Sequence, residues 1–261
     1  MSLLSHLGRV RQGIPCLFHK RVVDWRRRGP IVSFTFDDFP KSAYSVGGAT
    51  LEKFGARGTY YIASGLANTG GELGELFSAD DLRALLDKGH ELGSHTFHHS
   101  SARSVSCSDF QADVESGSKA VELLTGQDST NFAYPFGCVT LGVKKTIGEF
   151  VSSARGIVPG INGPDVDLNL LRANRIYGDI DAARQIKELI LRNVERKGWL
   201  IFYTHDVRPE PSFYGCTPAL FEFAVSEAVR NSTRIMTISE VLSQIGNGTQ
   251  TWDTTTTSIL N

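Results

Sequence analysis

The feature that most constrains the fold of this chain is an alternation repeated along most of its length. Short apolar runs rich in β-branched and aromatic residues are each followed by a stretch whose apolar positions recur at helical spacing. Strands are predicted at Ile31–Phe36, Gly58–Ala63, Glu91–Ser94, Asn131–Tyr134, Phe150–Ala154, Asn174–Tyr177, Leu200–Tyr203 and Arg234–Thr237. Strands separated by helical crossovers run parallel, which leaves a β/α barrel or a doubly wound open sheet.

The intervening helices carry start and stop signals. Ser78 is placed to cap a helix with Leu82, Leu85 and Leu86 on one face, ended by Lys88-Gly89. Asp109 to Leu124 reads as a second helix, closed by Gly126. Asp181 to Lys197 is a third, with Ile186, Leu189, Ile190 and Val194 as its stripe and Gly198 as its end. Thr217-Pro218 reads as N-cap and first position of a helix through Val229.

Charge narrows the function. Twenty-seven basic residues stand against 28 acidic ones, a formal charge of −1, so the chain lacks the footprint of a nucleic-acid binder. A local basic cluster from Lys20 to Arg28 reads first as a solvated face and second as a peripheral membrane contact. Cys16, Cys107, Cys138 and Cys216 are irregularly spaced with no C-x-x-C, and are read as reduced thiols. With no signal-peptide core and no membrane-length apolar run, the expected location is cytoplasmic, at most on the inner membrane surface. One domain is expected: residues 1–29 packing on a catalytic unit of residues 30–245, with residues 246–261 as a flexible threonine-rich tail.

Four segments carry chemistry, and all lie at the C-terminal ends of predicted strands. They are Thr35-Phe36-Asp37-Asp38, His95-Thr96-Phe97-His98-His99, Phe132-Ala133-Tyr134-Pro135-Phe136-Gly137 and Tyr203-Thr204-His205-Asp206. Each has a bland reading: an Asp pair entering a turn, a solvated His-rich turn, an aromatic turn, a structural His. Taken together they gain weight, because strand ends converge on one face of a parallel barrel, where active sites form. If His95-to-His99 coils into a helical turn, His95 and His99 share a face at i, i+4 and His98 points away. Two imidazoles and one carboxylate leave coordination positions open, as in a catalytic metal site.

In order and spacing, TFDD, HTFHH, FAYPFG and FYTHD resemble the polysaccharide deacetylases with a NodB-homology domain, carbohydrate esterase family four, over about Ile31 to Leu242. The resemblance implies a distorted (β/α) barrel of about seven parallel strands. It also implies a metal-dependent hydrolase that removes N-acetyl groups from amino sugars of a polysaccharide, oligosaccharide or lipid-linked glycan precursor. By the same resemblance Asp37 is the general base and His205 the general acid. Asp38, His95 and His99 hold one divalent metal ion, with zinc favoured over iron, cobalt or nickel. Tyr134, Pro135 and Phe136 line the sugar and oxyanion site, where Phe136 offers an N–H and Pro135 has none. One departure stands out: the third motif's usual arginine, which orients the base, is Ala133 here. Arg155, Arg172 and Arg175 are candidates to replace it, Arg175 first, and Asp206 is a candidate partner of the acid. The competing readings are a hydrolase of another small amide and a non-catalytic carbohydrate-binding relative.

Overall fold

A computed structural model describes residues 14–26, 28–126, 131–245 and, in backbone only, 251–252. Its centre is a curled sheet in which every pairing is parallel. In sheet order the seven main strands are β10 (Asn174–Arg175), β11 (Trp199–Thr204), β2 (Ile31–Asp37), β3 (Thr59–Ile62), β6 (Glu91–Ser94), β7 (Asn131–Ala133) and β8 (Ser153–Arg155). The short β12 (Arg234–Ile235) adds to the start of β2. This is the distorted β/α barrel with seven main strands. No pairing of β8 with β10 closes it among the described residues, and an isolated bridge from Arg155 to Leu171 stands near that gap.

Period-two alternation along β2 decides which residues face the helices and which the concave side. Val32, Phe34 and Phe36 join Leu200 and Phe202 in a core shared with helical residues such as Leu85, Ile190 and Phe221. Ile31 has the opposite parity and packs with Tyr61, Ala133, Ile201 and Tyr203 in a second cluster. Asp37 shares the parity of Ile31, so β2 ends by aiming a carboxylate into the concave interior.

The helices follow their sequence signals closely. Ser78 accepts from Asp81 N–H and the Asp81 carboxylate accepts from Ser78 N–H, a capping box that opens α2 (Ala79–Asp87), which follows α1 (Ala49–Lys53). Helix α3 (Cys107–Thr125) starts two residues before the predicted Asp109, because Ser106 is its N-cap, and it ends at the left-handed Gly126. After α4 (Leu141–Ile147), α5 spans Ala183–Arg196; here Lys197 itself takes the left-handed position expected of Gly198, at φ 51°. Thr217 caps α6 (Pro218–Arg230) as read, and α7 (Ile238–Ile245) follows. The predicted strand Phe150–Ala154 starts later than expected, at Ser153, since α4 is followed by a turn and Phe150 is 52% exposed.

Alternation also misses the ribbon of β4 (Gly70–Gly71) and β5 (Gly74–Glu75) and a small antiparallel sheet, in which β1 (Arg21–Asp24) pairs with β9 (Asp165–Asp167) and with β13 (Thr251–Trp252). Trp25 stacks on Trp199 at 5.5 Å, tying this sheet to the barrel floor. The basic cluster is largely engaged in structure. Arg21 is buried and donates to the carbonyls of Val151 and Ser152, Arg26 pairs with Asp165, and Arg28 donates to the carbonyls of Asp24 and Gln244. Arg27 and most of the expected tail (residues 246–250 and 253–261) lie outside the described residues. No helix among the described residues is long and apolar enough to cross a membrane.

Candidate active site

Three of the four segments leave their strands through a left-handed residue. Asp38 has φ 61°, Thr96 and His99 have φ 67° and 60°, and Phe136 has φ 58°. Such conformations cost about 1–3 kcal/mol each for non-glycine residues and persist where the surroundings over-determine them, most often at functional sites. They also correct the expectation for the histidines. Residues 95–99 form a bend, not a helical turn, so i, i+4 spacing is not what brings His95 and His99 together.

Helix α3 holds this bend instead. Its Asp113 carboxylate accepts from His98 N–H at 3.0 Å and from His98 Nδ1 at 2.7 Å, while its carbonyl accepts from Phe97 N–H at 3.1 Å. One turn further on, Gly117 lies so close to Thr96 that a Cβ would sit 2.4 Å from the Thr96 carbonyl carbon. His98 therefore points away, as expected, with its side chain 72% exposed. A glycine inside the predicted helix was the available sign of this close approach.

The result is a compact ligand cluster. Asp38, His95 and His99 present donor atoms within 4.8 Å of one another, the one such group among the described residues. The carbonyl of Ala133 accepts from His95 Nδ1 at 2.7 Å, which fixes the tautomer and leaves Nε2 facing Asp38. His99 Nε2 lies 3.1 Å from Asp38 Oδ1. That oxygen is buried and makes no hydrogen bond, an orphaned acceptor facing two imidazole nitrogens. Burial pushes the Asp38 carboxyl up to about 6 against the field of His205, with the adjacent Asp37 charge pushing the same way. Burial also lowers His95, to about 3, and His99, so both are neutral and able to ligate. An unsatisfied carboxylate oxygen and two neutral nitrogens suit a divalent cation of intermediate softness.

Beside this cluster stands Asp37, and its partner is Arg155 rather than the expected Arg175. Arg155 Nη2 donates to Asp37 Oδ1 at 2.5 Å, and the arginine is wholly buried. Its guanidinium carbon lies 5.1 Å from the ring centroids of both Tyr61 and Tyr203. In the sheet Arg155 stands directly across from Ala133, so the guanidinium missing from the third motif is supplied one strand over. Burial would raise the Asp37 carboxyl, but Arg155, His95 and His205 together hold it below its ordinary value. Arg175 is exposed, its guanidinium over the Tyr177 ring at 5.7 Å.

His205 closes the opposite side. The Tyr214 carbonyl accepts from its Nδ1 at 3.2 Å, leaving Nε2 3.8 Å from Asp38 Oδ2. The rings of Tyr214 and Tyr177 flank it at 5.5 and 6.1 Å. Asp206, a candidate partner for this histidine, faces away: its carboxylate accepts from Ser212 N–H and hydroxyl and pairs with Arg208 at 2.8 Å. It organises the loop after β11.

A cavity of about 300 Å³ joins these groups, lined by Asp37, Asp38, His95, His99, His205, Phe136, Gly137 and Ile157. Tyr177, Tyr203, Tyr214, Glu72 and Leu73 complete the lining. The Phe136 ring lies tilted against His99 at 4.5 Å and is 60% exposed. Tyr134 does not line the cavity: it is a core residue packed on Phe132, its hydroxyl donating to the Asn169 carbonyl. Pro135 is buried. Side-chain parity explains Tyr134, since it and Phe132 face the cluster formed with α3 and α4, and of the turn that follows only Phe136 and Gly137 reach the cavity. Sequence reasoning missed Glu72, Leu73, Ile157, Tyr177 and Tyr214, which come from loops and strands without a recognisable motif, and gave no role to Tyr203 within its segment.

A parallel β/α half-barrel with a carboxylate, two neutral histidines and a second, arginine-paired carboxylate at its strand ends defines a hydrolase-type site. Residues 26–150 match the family described as polysaccharide deacetylase. That match, with the fold, supports a NodB-homology domain of carbohydrate esterase family four, whose deacetylases hydrolyse carbon–nitrogen bonds other than peptide bonds. In fold it is similar to the chitin deacetylase of the fungal pathogen Colletotrichum lindemuthianum (TM-score 0.59, 16% identity, covering 90% of this chain and 94% of that one). It is similar also to a family 4 acetyl xylan esterase from Clostridium thermocellum in complex with a cobalt ion (0.57, 18%, 83% and 92%). A mutant of a family-four pseudoenzyme shares the fold as well (0.51, 14%, 82% and 68%). No curated protein sequence matches the chain.

Proposed function

We propose that this protein is a metal-dependent N-deacetylase of amino sugars in an oligosaccharide, polysaccharide or lipid-linked glycan precursor, with residues 30–245 as its catalytic unit. The observation that carries this reading is the convergence of Asp37, Asp38, His95, His99 and His205 on one cavity. Asp38, His95 and His99 would hold a divalent ion, zinc by the nature of the donors, which when bound polarises the acetamide carbonyl and acidifies water.

The chain's own residues supply the rest. Asp37, kept ionised by Arg155, accepts the proton of the attacking water. The Phe136 N–H, on the turn at the cavity wall, is assigned to the carbonyl oxygen as negative charge develops there. His205, with Nδ1 engaged by the Tyr214 carbonyl, gives the proton on Nε2 to the departing amine, without which the C–N bond re-forms. Phe136, Tyr177 and Tyr214 offer apolar faces to a sugar ring.

Acetate release from a panel of N-acetylated oligosaccharides by metal-loaded protein tests the activity. Asp37→Asn is expected to lower turnover by roughly 10²–10⁴-fold with metal content unchanged. Undiminished turnover in that variant would remove Asp37 as the base, and inert wild-type protein would favour the non-catalytic reading.

A further inference from the structure

Arg175, displaced from the base by Arg155, faces a second cavity. It has a volume of about 440 Å³ and adjoins the catalytic one through Tyr177, which lines both. Its wall includes Phe213, whose side chain is largely exposed, together with Gln185 and Ser212. Arg175 is the one charged residue in that lining, and it makes no ion pair among the described residues.

The two cavities therefore differ in how their charges are met. In the catalytic cavity Asp37 is paired with Arg155 and Asp38 belongs to the ligand cluster, whereas the neighbouring cavity carries a lone guanidinium. That guanidinium lies over the Tyr177 ring at 5.7 Å, and the same ring packs against Tyr203, Tyr214 and His205 at 5.6–6.1 Å. Arginine without a carboxylate partner, pre-positioned on an aromatic face, is suited to bind a planar or tetrahedral oxyanion by paired hydrogen bonds.

Resting on the deacetylase reading, we infer that this second cavity is a subsite for an anionic group, carboxylate or phosphate, borne by the sugar next to the N-acetylated one. Phe213 supplies a ring for that sugar to stack on, and Arg175 sets the preference for charge. A neutral homopolymer fills the catalytic cavity but leaves Arg175 without a partner.

The test is calorimetric binding to the full-length, metal-loaded protein of three short N-acetylated oligosaccharides. One is neutral, one carries a uronate beside the N-acetyl sugar, and one carries a phosphate there. At least one anionic ligand is expected to bind about tenfold tighter than the neutral one, and the tighter of the two identifies the oxyanion. In Arg175→Gln, whose exposed position spares the fold, that preference shrinks to about twofold or less. Equal binding of all three ligands by wild type, or an undiminished preference in Arg175→Gln, overturns the inference. Acetate release in the same mixtures is scored separately, so an anionic ligand that binds tightly without hydrolysis supports the subsite and counts against the deacetylase reading alone.

Discussion

The cavity wall built by β2 and β6 holds its side chains by charge and by left-handed backbone, whereas the wall built by β10 and β11 uses aromatic rings and one carbonyl. On the first, Asp37 is fixed by a buried arginine and His95 by the Ala133 carbonyl. On the second, His205 rests between Tyr177 and Tyr214, and the nearest-in-sequence carboxylate, Asp206, is committed to Arg208 and Ser212. The difference matches what each side is asked to do. The first wall starts with its carboxylate ionised and its imidazoles neutral, states its neighbours favour; His205 on the second is held through Nδ1 by a carbonyl, with Nε2 free to face the cavity.

This contrast can be broken in graded steps. Asp38→Ala removes a ligand outright and is expected to lower metal affinity beyond the roughly 100-fold typical of outer-shell changes, with acetate release falling to background. Metal analysis after dialysis checks it, and full retention of metal would dissociate Asp38 from the site. Tyr214→Phe keeps both the ring and the carbonyl that His205 uses, so its metal content should match wild type.

Arg155→Gln leaves Asp37 buried beside its orphaned neighbour Asp38. Breaking such a pair costs about 3–5 kcal/mol, read as a lower denaturant midpoint at unchanged slope. An unaltered midpoint would mean that Asp37 takes up a proton or water at little cost, and that the first wall is not held by charge.

Asp113→Asn acts at one remove, through the bend it ties to α3. Metal affinity is expected to fall about tenfold while the helix content stays constant. No change in metal affinity would show that Gly117 packing alone suffices to shape residues 95–99.

The smallest effect concerns pH. His90, which leads into β6, is buried between Tyr44 and Tyr60, and its Nδ1 accepts from Gly58 N–H. Burial lowers its pKa despite the opposing pull of Glu52. The folded state therefore binds fewer protons than the unfolded chain below about pH 6.5. The contribution of His90 to the stability of metal-free protein is fully present above that value and is lost as pH falls from it toward the lower folded pKa, while Asp38, raised to about 6, acts in the opposite sense. His90→Gln should flatten this decline, measured by denaturation midpoints over that range; an identical slope would exclude His90 as a contributor. His95 and His99 act in the same sense when no metal is bound.

Much of this was legible in the chain because it is local or periodic. Alternating strand and helix signals specify a parallel sheet, and caps such as Ser78 and Thr217 place helix starts within a residue or two. The four segments at strand ends point to one face, and Asp37, Asp38, His95, His99 and His205 do meet there. What brings His95 and His99 together is less legible, since the bend depends on Asp113 and Gly117, residues more than a dozen positions away.

The sequence by itself determined the architecture and the residue types of the site, because hydrophobic period and short motifs act over a few residues. Only the tertiary structure decided which arginine meets Asp37, that Tyr134 faces the core, and that Asp206 turns from His205. Those outcomes depend on register and side-chain parity between strands far apart in the chain. Arg155 lies opposite Ala133 because β7 and β8 pair in that register, a relation no local pattern encodes.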